Sequence, residues 1–221
     1  MSNGDRVTPQ EGLRHRAYGQ DYRASVIDRF GVWLSGRQIR RFAGPLAGKR
    51  LGDFGCGYHA KFVRSVLPEL SEVVLVDFAL SPELGDLPKV TSIEGILPTA
   101  LSQVESVSLD VVLCISVLEH LWDPLTAVQE CRRIVRPGGL CLFNVPSWRG
   151  KRFLEYSAFR LQLSPKDEMD DHKMYYDVKD FWPLLIRAGF RPSEVRCFSH
   201  KFGLNTFAAC RVPAQDDPKK S

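Results

Sequence analysis

An α/β fold built on a mostly parallel sheet follows from three features of the 221-residue sequence. From Arg50 onward, short apolar runs alternate with helix-length segments, the pattern of βαβ units. Two of the runs, Val73-Val74-Leu75-Val76 and Val111-Val112-Leu113-Cys114-Ile115, are continuously apolar, as strands buried on both faces require. A glycine turn, Gly55-Cys56-Gly57, follows the first run at a strand-to-helix junction, where backbone amides can face a ligand.

Along the chain, residues 1–12 are polar and contain Gly4, Pro9 and Gly12, which reads as a loose tail. From Arg14 to Phe42, Tyr18, Tyr22, Val26, Phe30, Trp33 and Leu34 recur every three or four residues, so a helical cap is expected before Gly44-Pro45, within residues 1–47. The main domain is expected over 48–212, with strands at 50–54, 72–77, 89–93, 109–115 and 139–145 and helices at 59–68, 98–105 and 123–135. After Pro146 the rhythm stops. Residues 147–171 interleave Phe153, Leu154, Phe159, Leu161 and Leu163 with Arg149, Lys151, Arg152 and Arg160, and end in an acidic run. An insert of this length reads as a lid, or else as an amphipathic patch making peripheral membrane contact. A last helix near 177–188 stops at Gly189, β-like runs follow at 193–199 and 204–212, and 213–221 reads as a disordered tail.

Composition narrows the classes. Hydrophobic residues make up 44% and charged residues 25%, so collagen-like, coiled-coil and disordered chains are disfavoured. The apolar stretch 111–118 is far short of the roughly 20 residues of a membrane span. The first residues, Met1-Ser-Asn-Gly-Asp-Arg6, lack the apolar centre of a secretion signal. A net charge of +4 without a basic stripe argues against a nucleic-acid partner. The six cysteines form no C-x-x-C pair and no metal-ligand spacing; they read as small hydrophobes in a reduced cytoplasm, and no metal is expected.

The glycine turn alone admits two cofactor classes, because Gly55-x-Gly57-x-x-Ala60 also satisfies the dinucleotide fingerprint of an NAD-dependent oxidoreductase. Asp77, 24 residues after Asp53, suits the ribose of either. Asp53 separates them. A carboxylate two residues before the turn gains nothing from a pyrophosphate and does gain from a cofactor that carries a sulfonium and an α-ammonium group. Asp53-Phe-Gly-Cys-Gly57 resembles motif I, D-x-G-C-G, of class I S-adenosylmethionine-dependent methyltransferases. Val117-Leu-Glu-His-Leu-Trp-Asp-Pro124 is similar to the EH-x-x-DP segment of ubiquinone-biosynthesis O-methyltransferases, and Arg136-Pro-Gly-Gly139 to the turn before the fifth strand. The third glycine of the motif is replaced by His59, which suits a third reading, a non-catalytic module of the same fold.

The resemblance implies a Rossmann-like three-layer sandwich with a seven-stranded, mostly parallel sheet and an antiparallel last strand. It implies S-adenosylmethionine as methyl donor, S-adenosylhomocysteine as product, and a small-molecule acceptor, most simply a hydroxyl. Asp53, Gly55, Cys56 and Gly57 would then line the methionine part, Asp77 the ribose, and Phe78, Gly95 and Ile96 the adenine, with Glu94 as a further donor-side neighbour. Ser116 and Val117 would hold the amino-acid end. His120 and His172 are the candidate bases, and Tyr18, Tyr22, Trp122 and Trp148 the candidate acceptor contacts. His15 and His200 read as surface residues.

Overall fold

A computed structural model describes residue 19, residues 26–153 and residues 172–214. Helix α1 spans Val26–Ala43, followed by strand β1 (Arg50–Phe54), helix α2 (Lys61–Val66), strands β2 (Glu72–Asp77), β3 (Val90–Glu94) and β4 (Leu109–Ile115), helix α3 (Pro124–Ile134), strand β5 (Val135–Pro146), helix α4 (Val178–Arg187), and strands β6 (Val195–His200) and β7 (Asn205–Arg211). The sheet has seven strands in the order β3-β2-β1-β4-β5-β7-β6. Pairings from β3 to β5 are parallel. The last strand, β7, runs antiparallel between β5 and β6, as the resemblance implied.

Both faces of the sheet are covered, giving three layers. On one face Ile39 and Ala43 of α1 and Val63 and Val66 of α2 pack on Leu51, Val73, Leu75, Val111 and Leu113. Phe42 adds ring contacts to Phe198 and Phe207 at 5.7 and 5.9 Å, which tie α1 to the antiparallel edge. On the other face Val128, Cys131 and Ile134 of α3 and Phe181 and Leu185 of α4 pack on Phe54, Val112, Cys141 and Phe143. Alternate residues of each central strand therefore serve opposite cores, which is why those strands are apolar throughout. Cys114, Cys131, Cys141 and Cys210 are buried free thiols, as expected.

Several expectations are corrected. The segment expected as a helix over 98–105 is a 3-10 turn at Thr99–Gln103. Ser102 Oγ donates to the Thr99 carbonyl at 2.8 Å, and Arg133 of α3 takes the Leu101 and Val104 carbonyls, so the turn closes locally and stops. The helix expected at 59–68 shortens to Lys61–Val66, because Ala60 is left-handed (φ 43°) and Pro68 lies in a 3-10 turn. The fifth strand starts at Val135, where a register shift opposite Leu109 and Val111 absorbs the Arg136-Pro-Gly-Gly139 turn. His200 is buried, not superficial. It packs on Phe207 at the end of β6, and burial, with Lys201 beside it, lowers its pKa to about 4.

Tyr18, Tyr22, His15 and most of the expected insert lie outside the described residues. Among the described residues no helix is long and apolar enough to cross a membrane.

Candidate active site

The carboxyl ends of β1, β2, β4 and β5 meet at one edge of the sheet, and the expected residues gather there. The chain leaves β1 through Gly55 (φ 79°) and Gly57 (φ 73°), conformations that side chains resist. Gly55 donates to the Val76 carbonyl at 2.7 Å, which bends the turn over β2. The Gly57 amide donates to Asp77 Oδ2 at 2.8 Å, and the Phe78 amide to Asp77 Oδ1 at 2.8 Å. Asp77, at the end of β2, thus holds the turn. Asp53, buried inside β1, has its carboxyl pushed up to about 7, by desolvation first and by the Asp77 charge second. The same causes, burial and then the Asp53 and Asp77 charges, push the Cys56 thiol far up.

Phe78 is half-buried beside Asp77, and Gly95 donates to the Asp77 carbonyl at 2.9 Å, with Ile96 exposed next to it. Glu94 is set aside: its Oε1 accepts from the Leu80 amide at 2.8 Å, which ties down the loop after β2. At the end of β4, Ser116 has φ 58°, a strained value for a serine, fixed by its amide bond to the Asn144 carbonyl at 2.7 Å. Val117 fills the space beside Gly55.

The EH segment forms a 3-10 turn, Leu118–His120, which buries Glu119. Lys173 and Met174 donate their amides to the Glu119 carbonyl at 2.7 and 3.3 Å, drawing the chain after the insert back onto this edge. That return places the His172 ring 4.8 Å from the His120 ring. One oxygen of Glu119 and one nitrogen of each histidine lie within 4.8 Å of one another. His172 Nδ1 is 2.9 Å from Tyr175 Oη, and the Tyr175 ring meets Trp148 at 5.5 Å. The Tyr176 hydroxyl is pushed up to about 12, by burial first and then by the Glu119 charge.

Trp122 lies after the EH turn and faces solvent. It precedes the α3 cap, Asp123, is 81% exposed, and carries Lys173 Nζ over its ring at 5.3 Å. Sequence reasoning missed Glu119 as a site member, and also Asn144, Tyr175 and Tyr176. Asn144 had a visible signal, an amide in the otherwise apolar strand Leu140–Val145; its Oδ1 is buried without a hydrogen-bond partner.

Residues 52–143 match the family described as methyltransferase domain. The chain carries a class I S-adenosylmethionine-dependent methyltransferase domain. The domain is similar to a ubiquinone biosynthesis O-methyltransferase of Acinetobacter baylyi, 28% identical over 64% of this chain and 66% of that one. It is also similar to the enzyme of that name from Neisseria meningitidis, 26% identical over 75% of this chain and 73% of that one. The chain thus spans about two thirds to three quarters of these relatives. Its fold matches an S-adenosylmethionine-dependent methyltransferase from Mesorhizobium loti with a TM-score of 0.56, at 17% identity over 79% of this chain and 96% of that one. The methyltransferase domain fits its cofactor, S-adenosylmethionine, on chemical grounds. Two buried carboxylates, Asp53 and Asp77, suit a ligand that carries cationic and hydroxyl groups, and the buried Oδ1 of Asn144 has no hydrogen-bond partner among the described residues.

Proposed function

We propose that the methyltransferase domain methylates a hydroxyl oxygen of a small-molecule acceptor, with His172 or His120 as the base. The approach of two imidazoles to 4.8 Å, on the edge that holds the glycine turn, carries this reading. The curated relatives are O-methyltransferases of ubiquinone biosynthesis, which supports a hydroxylated acceptor here. When bound, the cofactor supplies a methyl group already activated on a cationic sulfur. The chain's own work is alignment, exclusion of water and proton removal, and alignment alone is worth roughly 7–11 kcal/mol in well-oriented systems. Gly55, Cys56 and Gly57 would line the methionine part, with Asp53 toward the ammonium, Asp77 toward the ribose hydroxyls, Phe78, Gly95 and Ile96 around the adenine, and Ser116 and Val117 at the amino-acid end. For His172 to take a proton at Nε2, its Nδ1 must carry hydrogen and donate to Tyr175 Oη, so Tyr175 is a positioning residue that selects the tautomer.

A second reading rests on the Glu119-His120-His172 cluster, whose one carboxylate and two imidazoles suit a divalent cation that would polarise the acceptor hydroxyl instead. One set of assays tests both. The full chain is incubated with S-adenosylmethionine and a panel of phenols and catechols, and products are scored for a mass gain of one methyl group. Of His172→Ala and His120→Ala, the variant that removes the base is expected to lower kcat by about 10²–10⁴, with S-adenosylhomocysteine affinity within twofold of wild type. Loss of cofactor affinity equal to the loss of turnover refutes the base assignment. Loss of activity on chelation, restored by magnesium or zinc, favours the cation reading.

Asp53 gives a pH prediction. Its carboxyl binds a proton below about 7, and a protonated acid offers no charge to an ammonium group. Cofactor affinity is therefore expected to rise with pH through 7, by up to tenfold per unit below it, as the proton is released on binding. Titration calorimetry between pH 5.5 and 8.5 reads this slope, and Asp53→Asn flattens it; a wild-type profile already flat refutes the role. The fold responds in the opposite sense. The folded value lies above the ordinary 3.8, so the stability this group contributes is full below that value and is lost as the pH rises through 7.

A further inference from the structure

Strand β5 is apolar from Leu140 to Val145 except at one position. Asn144 shares a sheet face with Leu140 and Leu142 and lies opposite Phe207 of β7, and all four residues are buried. Its Oδ1 has no hydrogen-bond partner among the described residues. A buried acceptor left unmatched costs stability, and a leucine, with the same branching and no polar atom, would avoid that cost. The fold gains nothing from the amide oxygen, so the value of this side chain lies in its nitrogen.

Asn144 Nδ2 donates to Ser116 Oγ at 3.3 Å, and the Asn144 carbonyl accepts from the Ser116 amide at 2.7 Å. One residue of β5 thus grips Ser116 by side chain and backbone, just past the end of β4, where φ is 58°. A serine hydroxyl has one hydrogen and two lone pairs. One lone pair is taken by the Asn144 N–H, and the hydrogen does not go to Asn144 Oδ1, which accepts from no described group. Because Ser116 is exposed at the carboxyl edge, that hydrogen is presented to a ligand there. The next residue, Val117, stands against Gly55, which brings this donor next to the glycine turn.

We infer that Asn144 is a positioning residue for the cofactor: it holds Ser116 with its hydroxyl turned outward, as a donor to the carboxylate of the methionine part. A carboxylate offers acceptors alone, so a serine already set as a donor matches it, and the bond to a charged group is stronger than a neutral one. The inference rests on the proposed placing of Ser116 at the amino-acid end and adds a residue too buried to touch the ligand itself.

Two ligands test it by titration calorimetry on the full chain. S-adenosylhomocysteine carries the carboxylate, whereas 5′-methylthioadenosine keeps the nucleoside and the sulfur but lacks the amino-acid end. Asn144→Leu is expected to weaken S-adenosylhomocysteine about tenfold, the loss of one charge-assisted bond. Its affinity for 5′-methylthioadenosine stays within twofold of wild type, and its Tm does not fall. Ser116→Ala, at an exposed side chain, gives the same selective loss. The double variant loses no more than either single one, because both changes remove one contact. Equal weakening of both ligands with a lowered Tm makes Asn144 merely structural and overturns the inference. So does unchanged S-adenosylhomocysteine affinity in either single variant, or additive losses in the double one. Failure of the underlying placement shows already in the wild type, which then binds the two ligands equally or binds neither, and the inference falls with it.

Discussion

Asp77→Ala is expected to weaken S-adenosylhomocysteine binding by about 100-fold or more, the free energy of two charge-assisted hydrogen bonds at about 1.5–3 kcal/mol each. Two roles vanish together. The carboxylate holds the glycine turn through Gly57 and the exit of β2 through Phe78, and it is the group proposed to meet the ribose. Asp77→Asn separates them, since the amide oxygen still accepts one backbone bond but the charge is gone. Calorimetric titration of wild type and both variants checks this. An alanine variant that binds within threefold of wild type refutes the assignment.

Gly55→Ala is expected to abolish measurable cofactor binding and to lower Tm by roughly 5–15 °C. The residue sits at φ 79°, where a side chain costs about 1–2 kcal/mol. An added Cβ would stand 2.1 Å from Val117 Cγ2, so Val117 must move or the turn must open, which adds about 1–3 kcal/mol. Together these remove about 2–5 kcal/mol, at about 2–4 °C for each in a chain of this size. The companion experiment is Gly55→Ala with Val117→Ala. The second change removes the contact but not the backbone strain, so thermal stability should recover in part. Full stability in the single variant, or no recovery in the double one, refutes this account.

The central sheet was legible because its physics is local. The bounds of β2 and β4 follow from valine- and leucine-rich runs ended by Asp77 and by Ser116, and the end of β1 from the glycine turn after Phe54, signals carried by neighbouring residues. The expected 98–105 helix failed because Thr99–Gln103 closes through a hydroxyl of its own and through Arg133, which lies about thirty residues further on and whose reach no spacing rule reveals. His200 read as exposed because its burial depends on Phe207, across a hairpin, and not on its own neighbours. At the site, the glycine turn was readable from one motif and Asp77 from the end of the next apolar run. The meeting of His120 with His172 was not, since it depends on two amides reaching back to the Glu119 carbonyl after an insert of about 25 residues. Trp122 shows the converse: an aromatic placed near a motif by sequence is turned to solvent by the Asp123 cap and Pro124 that follow it.

The state of Cys56 has a consequence for the survival of the protein during turnover. A thiolate in the turn that receives an alkylating cofactor would be the chain's own competitor for the methyl group, and each lapse would leave a thioether where the ligand must sit. Burial first, and then the Asp53 and Asp77 charges, push the Cys56 thiol well up and favour its neutral form. If the turn receives the cofactor as proposed, the burial that disfavours charge there would also keep Cys56 from competing for the methyl group.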